Sequence, residues 1–155
     1  MTDESVPTLA EWAGGVQALE RLTEMFYGHV LKDELIGPLF AGMDANHPKY
    51  VALWLAEVFR GPERYSAERG GYPNMVKHHL GKAITEPQRR RWVSLLMDAA
   101  DEAGLPDDPE FRSAFLAYIE WGTRIARHNS QPGANPPPRA PMPHWGWGEA
   151  PPYQP

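Results

Sequence analysis

The chain has 155 residues, 42% apolar and 23% charged, a composition that suits one globular domain. It contains no cysteine, which excludes disulfides, thiolate zinc sites, iron–sulfur clusters, thiol catalysis and thioether attachment of a c-type haem. A net charge of −5 lacks the basic footprint of a nucleic-acid binder, and no apolar run approaches the roughly 20 residues that span a bilayer. The first residues, MTDESVPTLAEW, show no basic or apolar leader pattern, so the cytoplasm is the expected location, with neither nucleic acid nor membrane as partner.

Residues 9–130 read as helical almost throughout, and the fold class expected is all-α. Gly14-Gly15 reads as a tight corner. Val16, Leu19, Leu22, Phe26, Tyr27 and Val30 then recur at three- and four-residue spacing, the pattern of an amphipathic helix. A short piece, Glu34–Phe40, is expected to close at Pro38. Asn46 is a plausible N-cap for a helix over His47–Phe59, with Pro48 in its first turn and Gly61-Pro62 as its stop. The polar, glycine-ended run Glu63–Gly71 reads as loop, followed by a short helical piece with Met75, Val76 and His79. Thr85-Glu86-Pro87-Gln88 fits a capping box opening a long helix that Gly104 ends. Asp108-Pro109 opens the last helix, which carries Phe111, Phe115, Ile119, Gly122 and Ile125 on one side. Residues 131–155 hold nine of the 17 prolines and only two charges, Arg139 and Glu149. They are expected to form an extended tail outside a 1–130 domain, with Trp145 and Trp147 laid on its surface or offered to a partner.

The chemistry-bearing residues sort unevenly. No GxSxG, GxGxxG, GxxxxGK[ST] or HExxH is present, and the carboxylates scatter over helix faces. Of the six histidines, His29, His128 and His144 sit among polar residues and read as solvated. His47 heads a face shared with Val51, Trp54 and Leu55. His78 and His79 point about 100° apart on a helix, so only one can face a given pocket. His79 shares its face with Met75, which suits either a helix-terminal histidine or a single axial ligand to a flat apolar cofactor.

Taken together, the spacing over residues 10–130 resembles the truncated haemoglobins of the globin superfamily, and within them group II. The resemblance rests on Gly14-Gly15, the Phe26-Tyr27 pair, Phe40 thirteen residues after Tyr27, the loop Gly61-Pro62-Glu63-Arg64-Tyr65, His79, and Trp92 thirteen residues after His79. Arg60 replaces one glycine of the family's loop. It implies a two-over-two helical sandwich around haem b, bound without thioether links. His79 would ligate iron; Phe40, Val51, Trp54, Leu55, Met75 and Trp92 would line the haem; and Tyr65, His78 and Lys82 would lie near its charged edge. Tyr27, His47 and Trp92 would face the sixth coordination position. His47 stands where many members have a small residue, and His78 where many have arginine.

The implied function is reversible binding of O2, NO, CO or a similar small ligand, including O2 transport, at a five-coordinate iron in a polar distal pocket. Each donor aimed at a partly charged bound O2 is worth roughly 1.5–3 kcal/mol, so three donors predict slow O2 release. NO dioxygenation or peroxidase-like turnover is the alternative, and would draw on an external reductase. Such a protein is expected as a monomer or homodimer. A third alternative is a haem-free helical interaction module whose Pro/Trp tail is the recognition element.

Overall fold

The computed structural model describes residues 6–152. Thr8 opens α1 (Leu9–Ala13) by accepting the Glu11 N–H on its hydroxyl at 3.1 Å. Gly14 ends it in the left-handed region at φ 109°, and a Cβ there would meet Ala18 Cβ at 2.9 Å. That corner lets α2 (Gly15–Val30) turn back with Leu19, Leu22, Phe26, Tyr27 and Val30 buried along one face. The expected short piece after it differs from the sequence reading. Only Gly37–Phe40 is helical, as one 3-10 turn, and Pro38 stands at its start, not its end. The preceding residues are bent by the Asp33 carboxylate, which accepts the N–H groups of Leu35 and Ile36.

Helix α3 (His47–Val58) begins at Asn46, but the Asn46 side chain makes no capping bond. The Asp44 carboxylate instead accepts the Asn46 N–H at 2.7 Å. The helix ends before Gly61, with Arg60 at φ 68°. The Gly61 N–H reaches back to the Ala56 carbonyl at 2.7 Å, an approach that leaves no room for a Cβ. The run read as loop contains a helix, α4 (Arg64–Arg69). Its organiser is Glu57, nearly fully buried on α3, whose carboxylate accepts the Ser66 N–H at 2.8 Å and the Ser66 hydroxyl. An N-terminal anchor nine residues upstream in another helix leaves no local sequence signature.

Gly70, at φ 86°, ends α4, and Gly71, at φ 70°, starts α5 (Gly71–His79). Helix α6 (Glu86–Glu102) opens with the full capping box of Thr85 and Gln88, as the sequence predicts. Helix α7 (Pro109–Ser130) opens on the Asp108 carboxylate, which accepts the Phe111 N–H at 2.9 Å. No strand occurs among the described residues.

Helix α2 packs on both α3 and α6, and α6 packs on α7, so two helix pairs face one another. Phe26, Phe59, Phe111 and Phe115 are fully buried between them. Buried Arg89 ties α6 to α7 through Glu86, Glu120 and Thr123, at 2.6–3.2 Å. Beyond α7 the chain is extended and lies on the helices. The Trp145 N–H donates to the Val58 carbonyl at 2.7 Å, one of the unpaired carbonyls at the end of α3. The Trp147 indole N–H donates to the Pro7 carbonyl at 2.7 Å, and its ring stands edge-on to Trp12. Trp145 rests 5.7 Å from both Tyr118 and Trp121 on α7.

Candidate functional site

The 2-plus-2 packing leaves an apolar cavity of about 510 Å³ between the two pairs, closed at one side by α4 and α5. A cavity of this size and lining is what a rigid organic ligand requires. Each site residue singled out from the sequence lines it: Tyr27, Phe40, His47, Val51, Trp54, Leu55, Tyr65, Met75, His78, His79, Lys82 and Trp92. They come from five helices and the loops between them, so only the tertiary fold brings them together.

One corner of the cavity is polar. The Tyr27 hydroxyl and His47 Nε2 are 3.0 Å apart, and the two rings stand edge to face at 4.9 Å. The Trp92 indole lies near the same hydroxyl, and Phe26 packs edge-on against both Tyr27 and Trp92 at 4.8 Å. Phe40 covers Tyr27 from the other side at 5.5 Å. Burial pushes the Tyr27 phenol far above its ordinary range, against a smaller lowering effect of the nearby Trp92 indole, so it is a neutral O–H at any physiological pH. Burial also lowers the His47 pKa, with His78 and Arg69 adding to the effect, so its imidazole is neutral and carries a single N–H.

The α5 side holds the two adjacent histidines. Burial lowers the His79 pKa to about 4, against a hydrogen bond to the Met75 backbone that raises it. A neutral imidazole held by its own helix in an apolar cavity has the character of a metal ligand. His78 is exposed, and its Nδ1 bonds the Asn74 carbonyl at 2.7 Å. Both nevertheless border the cavity, contrary to the expectation that only one could face it; they differ in exposure, His79 being half-buried and His78 exposed. His29, His128 and His144 are exposed, and His29 pairs with Glu102 at 2.9 Å.

Several lining residues escaped the sequence reading. Tyr118 and Trp121 on α7, Tyr50 on α3, Arg69 on α4 and Tyr72 on α5 all border the cavity. Buried Tyr118 accepts the Trp54 indole N–H at 2.6 Å, and Gly122 leaves the space its ring occupies, since a Cβ there would stand 3.3 Å from Cζ. The apolar stripe of α7 was visible in the sequence; which part of it faces a hollow was not.

A family model described as bacterial-like globin matches residues 8–120. The chain belongs to the bacterial-like globin family, as a truncated haemoglobin. Relatives include the group 2 truncated haemoglobin YjbI of Bacillus subtilis, 28% identical over 71% of this chain and 81% of that protein. The group 1 truncated haemoglobin GlbN of Nostoc sp. is 33% identical over 52% of this chain, a match that spans 64% of its own length. Among solved structures, the group II truncated haemoglobin of Bacillus anthracis superposes with a TM-score of 0.69 at 26% identity, over 81% of this chain and 92% of that one. The truncated oxygen-avid haemoglobin of Bacillus subtilis gives 0.68 at 26%, over 77% and 98%. This globin's all-α, 2-on-2 architecture is thus shared with them.

The family implies a haem cofactor, and the cavity's own contents fit one. Its walls are aromatic and aliphatic, a neutral imidazole enters it from α5, and a buried arginine nitrogen on its border lacks any partner. With no cysteine in the chain, thioether attachment of such a cofactor is excluded. No helix among the described residues is long and apolar enough to cross a membrane.

Proposed function

We propose that this globin binds haem b through His79 and holds small diatomic ligands, O2 first among them, on the side lined by Tyr27, His47 and Trp92. The observation that carries this reading is the placement of one neutral imidazole and one three-residue polar corner on the same apolar cavity. When bound, the haem supplies a ferrous iron with one position open to a diatomic ligand.

The chain's own residues then decide what is held and for how long. Phe40, Val51, Trp54, Leu55 and Met75 bury the apolar faces of the cofactor and exclude water. At the polar corner, donor counting sets the possibilities. The Tyr27 oxygen has two acceptor sites and one proton. Trp92, an obligate donor near that oxygen, competes for one acceptor site. If His47 carries its proton on Nε2, it fills the second, and the Tyr27 O–H is left free to donate into the cavity. If His47 carries it on Nδ1, the Tyr27 O–H is spent on Nε2. The His47 tautomer thus sets whether Tyr27 can hold a ligand. The solved relative from Bacillus subtilis is named oxygen-avid, which accords with a donor-rich corner of this kind.

Absorption spectra of the purified protein in ferric, ferrous and CO-bound forms test the reading. A Soret band in all three, with a five-coordinate ferrous form that shifts on CO, is expected. A protein that takes up no haem on supplementation would overturn it.

A further inference from the structure

Helix α5 ends at His79, and the chain that follows gains little from packing. Leu80, Gly81, Lys82 and Ala83 are all exposed, and Leu80 leaves the helix with extended backbone at ψ 131°. Gly81 stands at φ 76°. Ala83 also takes a positive φ, 50°, a conformation that a residue with a Cβ keeps only where its surroundings dictate it. At nine residues, α5 is shorter than a helix that holds itself in water. The position of His79 therefore depends on a fixed point beyond it.

That fixed point is the end of α7, 46 residues further along the chain. The Ala83 N–H donates to the Ser130 carbonyl at 2.8 Å, and the Ile84 N–H donates to the Ser130 hydroxyl at 2.9 Å. The Ile84 carbonyl accepts Gln131 Nε2 at 2.8 Å. Both side chains are tied back to α7 in turn. The Ser130 hydroxyl donates to the Arg127 carbonyl at 2.7 Å, and Gln131 Nε2 lies 2.8 Å from the same oxygen. Ser130 is fully buried, so losing its hydroxyl would leave the Ile84 N–H without that acceptor. Ile84 and Asn129 border the cavity, as His79 does, which puts this clamp at the cavity's rim.

We propose that Ser130 and Gln131 are positioning residues for His79: by gripping Ala83 and Ile84 they fix the loop that leaves α5, and so set the depth and tilt at which the His79 imidazole enters the cavity. This rests on the haem reading above. Only Leu80, Gly81 and Lys82 lie between His79 and the first clamped amide, and the Lys82 N–H turns back to the His79 carbonyl at 3.3 Å. A displacement of the clamped end thus passes to the imidazole through a short turn with no packing of its own. The polar corner is held by other means. Tyr27 and His47 stand on α2 and α3, and Trp92 stands on α6, which has its own capping box and the Arg89 ties to α7. Loosening the clamp therefore changes one face of the cavity and spares the other.

The test compares full-length wild type, Ser130→Ala, Gln131→Ala and their double variant. Thr8→Ala, which removes the α1 cap outside the cavity lining, is the control for lost stability. Resonance Raman spectra of the ferrous, haem-loaded proteins read the iron–imidazole stretch, and infrared spectra of the CO-loaded proteins read the polar corner. Hydrogen exchange on the cofactor-free proteins reads the Ala83 and Ile84 amides. In the double variant these amides should exchange about tenfold or more faster. Its iron–imidazole band should shift and broaden, while the C–O stretch stays at the wild-type position. Each single variant should shift the band less, and Ser130→Thr, which keeps the hydroxyl, should restore it relative to Ser130→Ala. Thr8→Ala should lower the melting temperature and leave the band unmoved. An unmoved band in variants whose loop amides exchange faster would overturn the proposal, as would unchanged exchange or an equal shift in Thr8→Ala. Should the double variant take up no haem, the two single variants are judged by the same criteria. Absence of an iron–imidazole band in the wild type would instead overturn the His79 reading beneath it.

Discussion

The side of the cavity bearing Tyr27, His47 and Trp92 stands on α2, α3 and α6, of 16, 12 and 17 residues, whereas the side bearing Arg69, Met75 and His79 stands on α4 and α5, of six and nine. On the long-helix side each ring is fixed by other rings. Phe26 meets both Tyr27 and Trp92, and Phe40 and His47 meet Tyr27. That corner is built by core packing whether or not a ligand is bound. On the short-helix side both helices are below the roughly 12–15 residues at which an isolated helix becomes even marginal. Two positive-φ glycines join them, and the buried Glu57 carboxylate organises the start of the first. This side keeps a buried Arg69 Nε without a partner and an imidazole without a charged partner. On the proposed reading, the comparison teaches that ligand selectivity would be built into the core, while the grip on the cofactor would sit on two short helices.

The largest expected effect lies on the short-helix side. His79→Ala should abolish stable haem binding, whereas His78→Ala, altering an exposed ring, should leave the Soret band in place; absorption spectra of both variants decide, and the opposite pattern would reassign the axial ligand. Next comes the long-helix side. Tyr27→Phe or Trp92→Phe should speed O2 dissociation about tenfold or more, at roughly 1.4 kcal/mol per decade. Stopped-flow release rates unchanged from wild type would remove that residue from the ligand's surroundings, while uptake of haem should be unaffected in either case.

A third test separates both sides from the tail. Trp145 packs on Tyr118 and Trp121, which themselves border the cavity, and its N–H caps the end of α3. Trp145→Ala should cost about 1–3 kcal/mol of unfolding stability, less than a fully buried tryptophan because the ring is half-exposed. Dropping residues 131–155 should leave the haem spectrum intact, and loss of haem on truncation would make the tail part of the pocket wall. The smallest effect is electrostatic. The Arg89 guanidinium, with Arg90 and Arg127 beside it, holds the Glu86 carboxyl at about 2. A depressed carboxylate contributes stability that is complete above its unfolded value and is lost as pH falls toward the folded one. Glu86→Gln should therefore flatten the acid side of the stability profile between about pH 5 and 2, read from melts across that range.

Much of the fold was legible because its signals are local. The capping box at Thr85, the Asp108-Pro109 start and the six apolar positions of α2 each fix their helix within a few residues. The short piece near Pro38 and the α4 segment were misread for one reason. Carboxylates, of Asp33 three residues away and of Glu57 in another helix, bend or start these segments, and propensity does not register such bonds. The candidate site was legible as residue types at a family's spacing, but Arg69, Tyr118 and Trp121 were not. Nothing in the sequence distinguishes an arginine facing solvent from one facing a hollow.

By itself, then, the order of residues determined which segments coil, which faces are apolar, and that His79 shares its helix face with Met75. Only the packing of two helix pairs across each other decided that Tyr27, His47 and Trp92 meet at one corner, that Arg69 borders the cavity, and that the tail returns to brace α7. Helical periodicity is set by bonds a few residues long, whereas a cavity is what remains when distant surfaces fail to fill the space between them.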